Sequence, residues 1–128
     1  MSQIIHTSAA PAAIGPYSQA VITGGLVFTS GQIALDPKTG EIAADDIAGQ
    51  TEQVCRNIEA LLKASGSGLD RVVKTVCFLR HMEDFAAFNE VYARYFTGKP
   101  ARSCVAVREL PKNVLVEIDT VAETGDTE

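Results

Sequence analysis

The chain has 128 residues, enough for one domain, and its 46 % hydrophobic and 21 % charged residues are ordinary for a folded protein. Lys and Arg number 11 and Asp and Glu 16, a net charge of −5 with no basic block, which argues against general nucleic-acid or anionic-membrane binding. No apolar run approaches the about 18 residues of a membrane span, and the N-terminus lacks the basic and apolar regions of a secretory signal, so a cytoplasmic location is expected.

SQIIHTS reads as a short first strand. Pro11, Gly15 and Pro16 then break regular structure and carry Tyr17 into YSQAVITGGLVFTSGQ, two β-prone runs with Gly24-Gly25 as a hairpin signal. ALDPKTGEI is a loop with Pro37 and Gly40 as turn residues. From Asp46 the period changes. Ile47, Thr51, Val54, Ile58, Leu61 and Leu62 recur at helical steps, which predicts one amphipathic helix, capped by Asp45 or Asp46 and ended by Gly66.

RVVKTVCFLR is rich in β-branched residues and fits a central strand. Strict alternation puts Val72, Val76 and Phe78 on one face and Val73, Cys77 and Leu79 on the other. EDFAAFNEVYARYF returns to helical period, with Phe85, Phe88, Val91, Tyr92, Tyr95 and Phe96 on one side. Glu83 and Asp84 suit its positive N-terminal end, and Gly98 and Pro100 stop it. RSCVAVREL and NVLVEIDTVA are the last two strands, and the acidic tail, about 123–128, is expected to fray.

The order is β-β-β-α-β-α-β-β, an α+β fold with both helices on one face of a mixed sheet. Apolar residues on the other face call for cover, which a chain with two helices obtains by oligomerising. Cys55, Cys77 and Cys104 are odd in number and form no CxxC pair, so reduced thiols are expected. His6 and His81 have no ligand spacing around them, and no metal site is expected.

Two stretches carry candidate chemistry. In PARSCVAV, Arg102 and Cys104 are two apart and share a strand face. In VLVEIDTVA, Glu117 and Asp119 lie among apolar residues, and either is a candidate acid–base group. The ordinary alternatives are an Arg paired with a surface carboxylate, and a Glu solvated on an edge strand or paired with Arg102. Cys104 is not read as a nucleophile, because no histidine lies near it in sequence. Tyr17 follows a bend and is either a pocket wall or a core residue. Gly31, beside Ser30, lets backbone approach a ligand closely. Phe85 is expected in the core, and Asn89, one turn on, is expected to tie a loop or a neighbouring subunit.

IGPYSQA, FTSGQIALDPKTGEI, NIEALLKASG, VVKTVCFL, DFAAFNEVYARYF, PARSCVAV and LPKNVLVEIDTVA, in this order, resemble the RidA (YjgF-type) family of enamine/imine deaminases. The likeness runs from about Ile4 to Ala122. The resemblance implies one RidA-like domain over 1–128 with a chorismate-mutase-like fold. It further implies a homotrimer around a central barrel, with active sites between neighbouring subunits. The implied reaction is hydrolysis of 2-aminoacrylate, 2-iminopropanoate or 2-iminobutanoate to 2-oxo acids and ammonia, with no cofactor of its own. That reaction protects pyridoxal-phosphate enzymes from damage.

Under that resemblance, Arg102 holds the substrate carboxylate through two parallel N–H donors. Glu117, with a raised pKa, works the water. Tyr17, Ser30, Gly31 and Cys104 line the substrate pocket, Cys104 through its backbone N–H or as shape. A non-catalytic member that binds 2-oxo acids for regulation is the other implied reading. A nuclease, translation-inhibiting or chaperone-like member is the third.

Overall fold

The computed structural model describes residues 2–125, and its eight helices and strands follow the expected order. Strands β1 (Gln3–Ile5), β2 (Ala20–Thr23) and β3 (Leu26–Thr29) precede helix α1 (Ile47–Ala64). Strand β4 (Val72–Leu79), helix α2 (Phe85–Tyr95), β5 (Ala101–Ala106) and β6 (Val116–Glu123) complete the chain. Short 3₁₀ turns precede β4, α2 and β6. Gly24 and Gly25 take positive φ values of 60° and 79° between β2 and β3, the backbone a tight hairpin requires. Asp46, not Asp45, caps α1 by accepting from the Gly49 N–H at 3.0 Å, and Gly66 follows its end at φ 75°.

The six strands form one sheet in the order β1-β2-β3-β6-β4-β5. Every pairing is antiparallel except β4 with β5, which α2 connects as a crossover. The C-terminal strand therefore sits inside the sheet, between β3 and β4. Both helices cover one face. Val54, Cys55, Ile58 and Leu62 of α1 and Phe88 and Tyr92 of α2 pack with Cys77, Leu79, Val116, Ile118 and Ala122 of the sheet. Each fully buried large apolar side chain contributes about 1.5–3 kcal/mol, so this layer carries most of the fold's stability.

The opposite face has no helix. Phe28 and Val105 are 42 % and 48 % exposed there, beside half-buried Val76, Phe78 and Val121. The expected alternation along β4 fails at one point. A bulge between Val72 and Lys74 adds Val73 as an extra residue. Val72 consequently shares the helix face with Cys77 and Leu79, while Val76 and Phe78 look the other way. The last strands are also shorter than the apolar runs that predict them, since 107–110 lie beyond β5 and 113–115 precede β6. Of the tail, Thr124 is anchored by its N–H to the Gly25 carbonyl at 3.0 Å, and 126–128 lie outside the described residues.

Candidate active site

Arg102 stands on β5 directly opposite Thr75 of β4, and Cys104 opposite Cys77, so both point to the helix face. There the guanidinium meets α2. Its Nη1 donates to Asn89 Oδ1 at 2.7 Å, and its centre lies 4.8 Å from the Tyr92 ring centroid, 5.4 Å from Phe85 and 6.0 Å from Phe88. The Tyr92 hydroxyl and Thr75 Oγ1 are 2.7 Å apart. A cleft of about 540 Å³ opens here, lined by Asn89, Tyr92, Phe96, Lys99, Pro100 and Arg102. Among the described residues the ion pair present is Arg56–Glu52, and no carboxylate pairs with Arg102. Among those residues a surface ion pair is therefore not what holds Arg102.

Cys104 is half-buried beside the core, and burial pushes its thiol up while the Arg102 charge partly opposes this. Burial likewise raises Cys77 to about 12. Burial thus favours the thiol over the thiolate at both positions.

Glu117 stands on the other face. It is opposite Phe78, which looks away from the helices. The Ser30-Gly31-Gln32 segment runs alongside through a bridge of two backbone bonds between Gln32 and Ile118, 2.8 and 3.1 Å long. Gly31 lies against the Glu117 side chain so closely that any Cβ would collide with the carboxylate, whose Cδ would be 2.8 Å away. Its lack of a side chain thus leaves room for the Glu117 carboxylate in the position it takes here. A cleft of about 610 Å³ holds Glu117, Tyr17, Ser30 and Gly31 together, with Ile14, Gln19 and Lys112 among its other walls. Burial, and then the neighbouring Asp119, raises the Glu117 pKa above the ordinary carboxylate range, and burial raises Asp119 too.

Loops supply most of this second cleft, and buried amides hold them. Gln19 Oε1 accepts from the Thr7 N–H at 2.7 Å, while its Nε2 donates to the carbonyls of Thr7, Ala10 and Pro11. Ser30 Oγ donates to the Ser18 carbonyl at 2.6 Å, fastening the Tyr17 loop to the Gly31 segment. Asn57 of α1 donates to the carbonyls of Ile33 and Leu35, and Gln50 accepts from the Leu115 N–H at 2.8 Å. Lys112 and Asn113, with φ of 55° and 57°, make a left-handed turn beside the cleft.

The expected site residues therefore fall into two groups. Tyr17, Ser30, Gly31 and Glu117 come together, and Arg102 shares a strand face with Cys104. One chain does not bring Arg102 to Glu117, because they project from opposite faces of the sheet. The expectation that Glu117 could neutralise Arg102 from a nearby strand is corrected for a single chain. Asn89, expected to tie a loop or a neighbouring subunit, accepts a hydrogen bond from Arg102 of its own chain. A polar residue inside the Phe85, Phe88 and Tyr92 stripe was the signal for it. Gln19 had no signal beyond its position after Tyr17.

Residues 7–124 match the protein family described as Endoribonuclease L-PSP, to which the RidA proteins belong. The chain is a member of the RidA family. A candidate regulator of Lactococcus lactis, AldR, is 55 % identical to this RidA chain over 122 residues, covering 94 % of it and 97 % of AldR. The 2-iminobutanoate/2-iminopropanoate deaminase of Salmonella typhimurium is 47 % identical over 126 residues, covering 95 % and 98 % of the two chains. The crystal structure of YyfA, a Rid-family protein of Yersinia pestis, is similar to it with a TM-score of 0.94 at 44 % identity, covering 97 % of this chain and 100 % of that one. The α+β architecture is thus the fold of RidA proteins. No helix among the described residues is long and apolar enough to cross a membrane.

Proposed function

We propose that the chain hydrolyses small enamines and imines, such as 2-aminoacrylate, 2-iminopropanoate and 2-iminobutanoate, to 2-oxo acids and ammonia. This reading would make it a protector of pyridoxal-phosphate enzymes in the cytoplasm. The observation that carries it is Arg102, a guanidinium held by Asn89 and three rings, with no carboxylate partner among the described residues. It suits a substrate that brings its own carboxylate. Glu117 supplies the other requirement. Its carboxylate form takes a proton from water as the oxygen adds to the C=N carbon and passes it to nitrogen, then relays the proton of the new hydroxyl to nitrogen as the C–N bond breaks, leaving a C=O group and ammonia. One water is consumed, and the nitrogen leaves as ammonia.

Since the two groups face apart in one chain, the complete site needs a second copy. The helix-free face, with Phe28 and Val105 exposed beside Glu117's own side of the sheet, is the surface available for assembly. We read the assembly as a homotrimer, with Arg102 and Cys104 from one subunit meeting Tyr17, Ser30, Gly31 and Glu117 of the next. No nucleic-acid partner is expected of a chain with net charge −5.

The test generates 2-aminoacrylate in place with a serine dehydratase and follows 2-oxo acid release. Wild-type protein accelerates release and Arg102→Ala does not. Absence of acceleration by correctly assembled wild type removes the reading. The resemblance to AldR supports one alternative, a regulator that binds 2-oxo acids without turnover. Calorimetric binding of 2-oxobutyrate beside no hydrolysis would establish that alternative.

A further inference from the structure

Among the described residues the side chains in contact with Arg102 are all neutral, and the charged group that shares its cleft, Lys99, is a second cation. Three aromatic rings and one amide oxygen contact it, and no carboxylate does. A half-buried cation usually takes an anion as partner. Ring faces stabilise a guanidinium through their negative quadrupole without cancelling its charge. An amide carbonyl fixes one edge of the guanidinium by accepting a hydrogen bond and likewise leaves the charge in place. An aspartate at the same position would reach the same atom and neutralise it.

We infer that Asn89 and Tyr92 are positioning residues that form a neutral cradle, aiming the Arg102 guanidinium while keeping its full charge for a ligand carboxylate. The inference rests on the reading that Arg102 receives that carboxylate. The parts are mutually fixed. Tyr92 is buried and its hydroxyl is tied to Thr75, the residue opposite Arg102 on the neighbouring strand. Burial raises the Tyr92 pKa, so the ring beneath the cation stays a neutral phenol. Phe88 packs at 5.4 Å from Tyr92 and Phe96 stacks on it at 4.5 Å, leaving the Tyr92 ring no freedom to swing away. Nη1 is occupied by Asn89. The remaining N–H groups of the guanidinium have no side-chain partner among the described residues and lie at the cleft it shares with Lys99 and Pro100.

The experiment measures 2-oxobutyrate affinity by calorimetry for wild type, Asn89→Asp, Asn89→Ala, Tyr92→Phe and Tyr92→Leu, each checked for assembly and melting temperature. A residue that only supports the fold predicts that Asn89→Asp, which keeps the hydrogen bond, binds as wild type does. A neutral cradle predicts the reverse order. Asn89→Asp loses about tenfold or more in affinity, because an ionised carboxylate already occupies the cation. Asn89→Ala loses less, about threefold to tenfold, because only aim is lost. Tyr92→Phe stays within about threefold of wild type, and Tyr92→Leu falls below it by about fivefold, because the ring face is gone.

Wild-type affinity in Asn89→Asp overturns the inference, as does failure of wild type to bind 2-oxobutyrate. If Asn89→Asp does not assemble, the Tyr92 pair decides: equal affinity in Tyr92→Leu and wild type overturns the cradle. Loss of imine hydrolysis in wild type with 2-oxobutyrate binding intact removes the deaminase reading alone and leaves the cradle standing.

Discussion

The two halves of the candidate site are built by different means. The Arg102 half is made of regular structure: a strand residue in register with Thr75, set against a helix whose rings are packed into the core. The Glu117 half has its acid on a strand, but Tyr17, Ser30, Gly31 and Lys112 arrive on loops. Regular structure aims a residue through backbone register. Loops need separate fastenings, and here they are side-chain amides and a serine. The direction of Arg102 follows from strand register, whereas the positions of Tyr17, Ser30 and Gly31 follow from these fastenings.

The largest expected effects come from removing the chemistry of either half. Arg102→Ala and Glu117→Gln should each lower the rate of imine hydrolysis by about 100-fold or more with assembly intact, as size-exclusion and stopped assays would show. Mixing these two variants tests the division itself. If each site takes Arg102 from one chain and Glu117 from another, randomly mixed oligomers recover about a quarter of wild-type activity. If both groups came from one chain, the mixture would stay inactive.

Smaller effects test how each half is held. Gly31→Ala displaces the Glu117 carboxylate, the far end of a flexible side chain, so activity should fall by roughly tenfold to 100-fold while stability changes by less than about 1 kcal/mol. Denaturant melts beside kinetics would separate the two. Gln19→Leu leaves the Thr7 N–H and three carbonyls without their partner, a cost of about 1–3 kcal/mol, and should raise KM more than it lowers kcat.

The smallest effect is on pH dependence. Glu117 and Asp119 have pKa values raised by burial, so their ionisation opposes folding. The penalty is absent below the ordinary carboxylate pKa and grows as pH rises through the raised value. Glu117→Gln and Asp119→Asn should therefore melt slightly above wild type at about pH 8 and converge with it at about pH 4. A variant less stable than wild type at the higher pH would contradict burial as the cause.

The order of elements was readable because period and punctuation agree locally. Gly24-Gly25, Asp46 and Gly66 mark turns and ends where their backbone chemistry is needed. Two things were not readable. The bulge at Val73 adds a residue whose identity, another valine, is the same as its neighbour's, so no pattern announces the change of face. The separation of Arg102 from Glu117 depends on β4 lying between β5 and β6, with partners fixed by register across the sheet. Nothing near either residue encodes that. The amides of Gln19, Gln50 and Asn57 escaped notice for the same reason, since their partners are loops distant in sequence.

The contact between Gly31 and Glu117 also has a use in comparing sequences. The two positions occupy one volume, so they constrain each other during divergence. A side chain at position 31 with the backbone as it is here displaces the end of the Glu117 side chain. Position 31 then becomes a place, legible in an alignment alone, to look for relatives in which the position of Glu117 has changed as well.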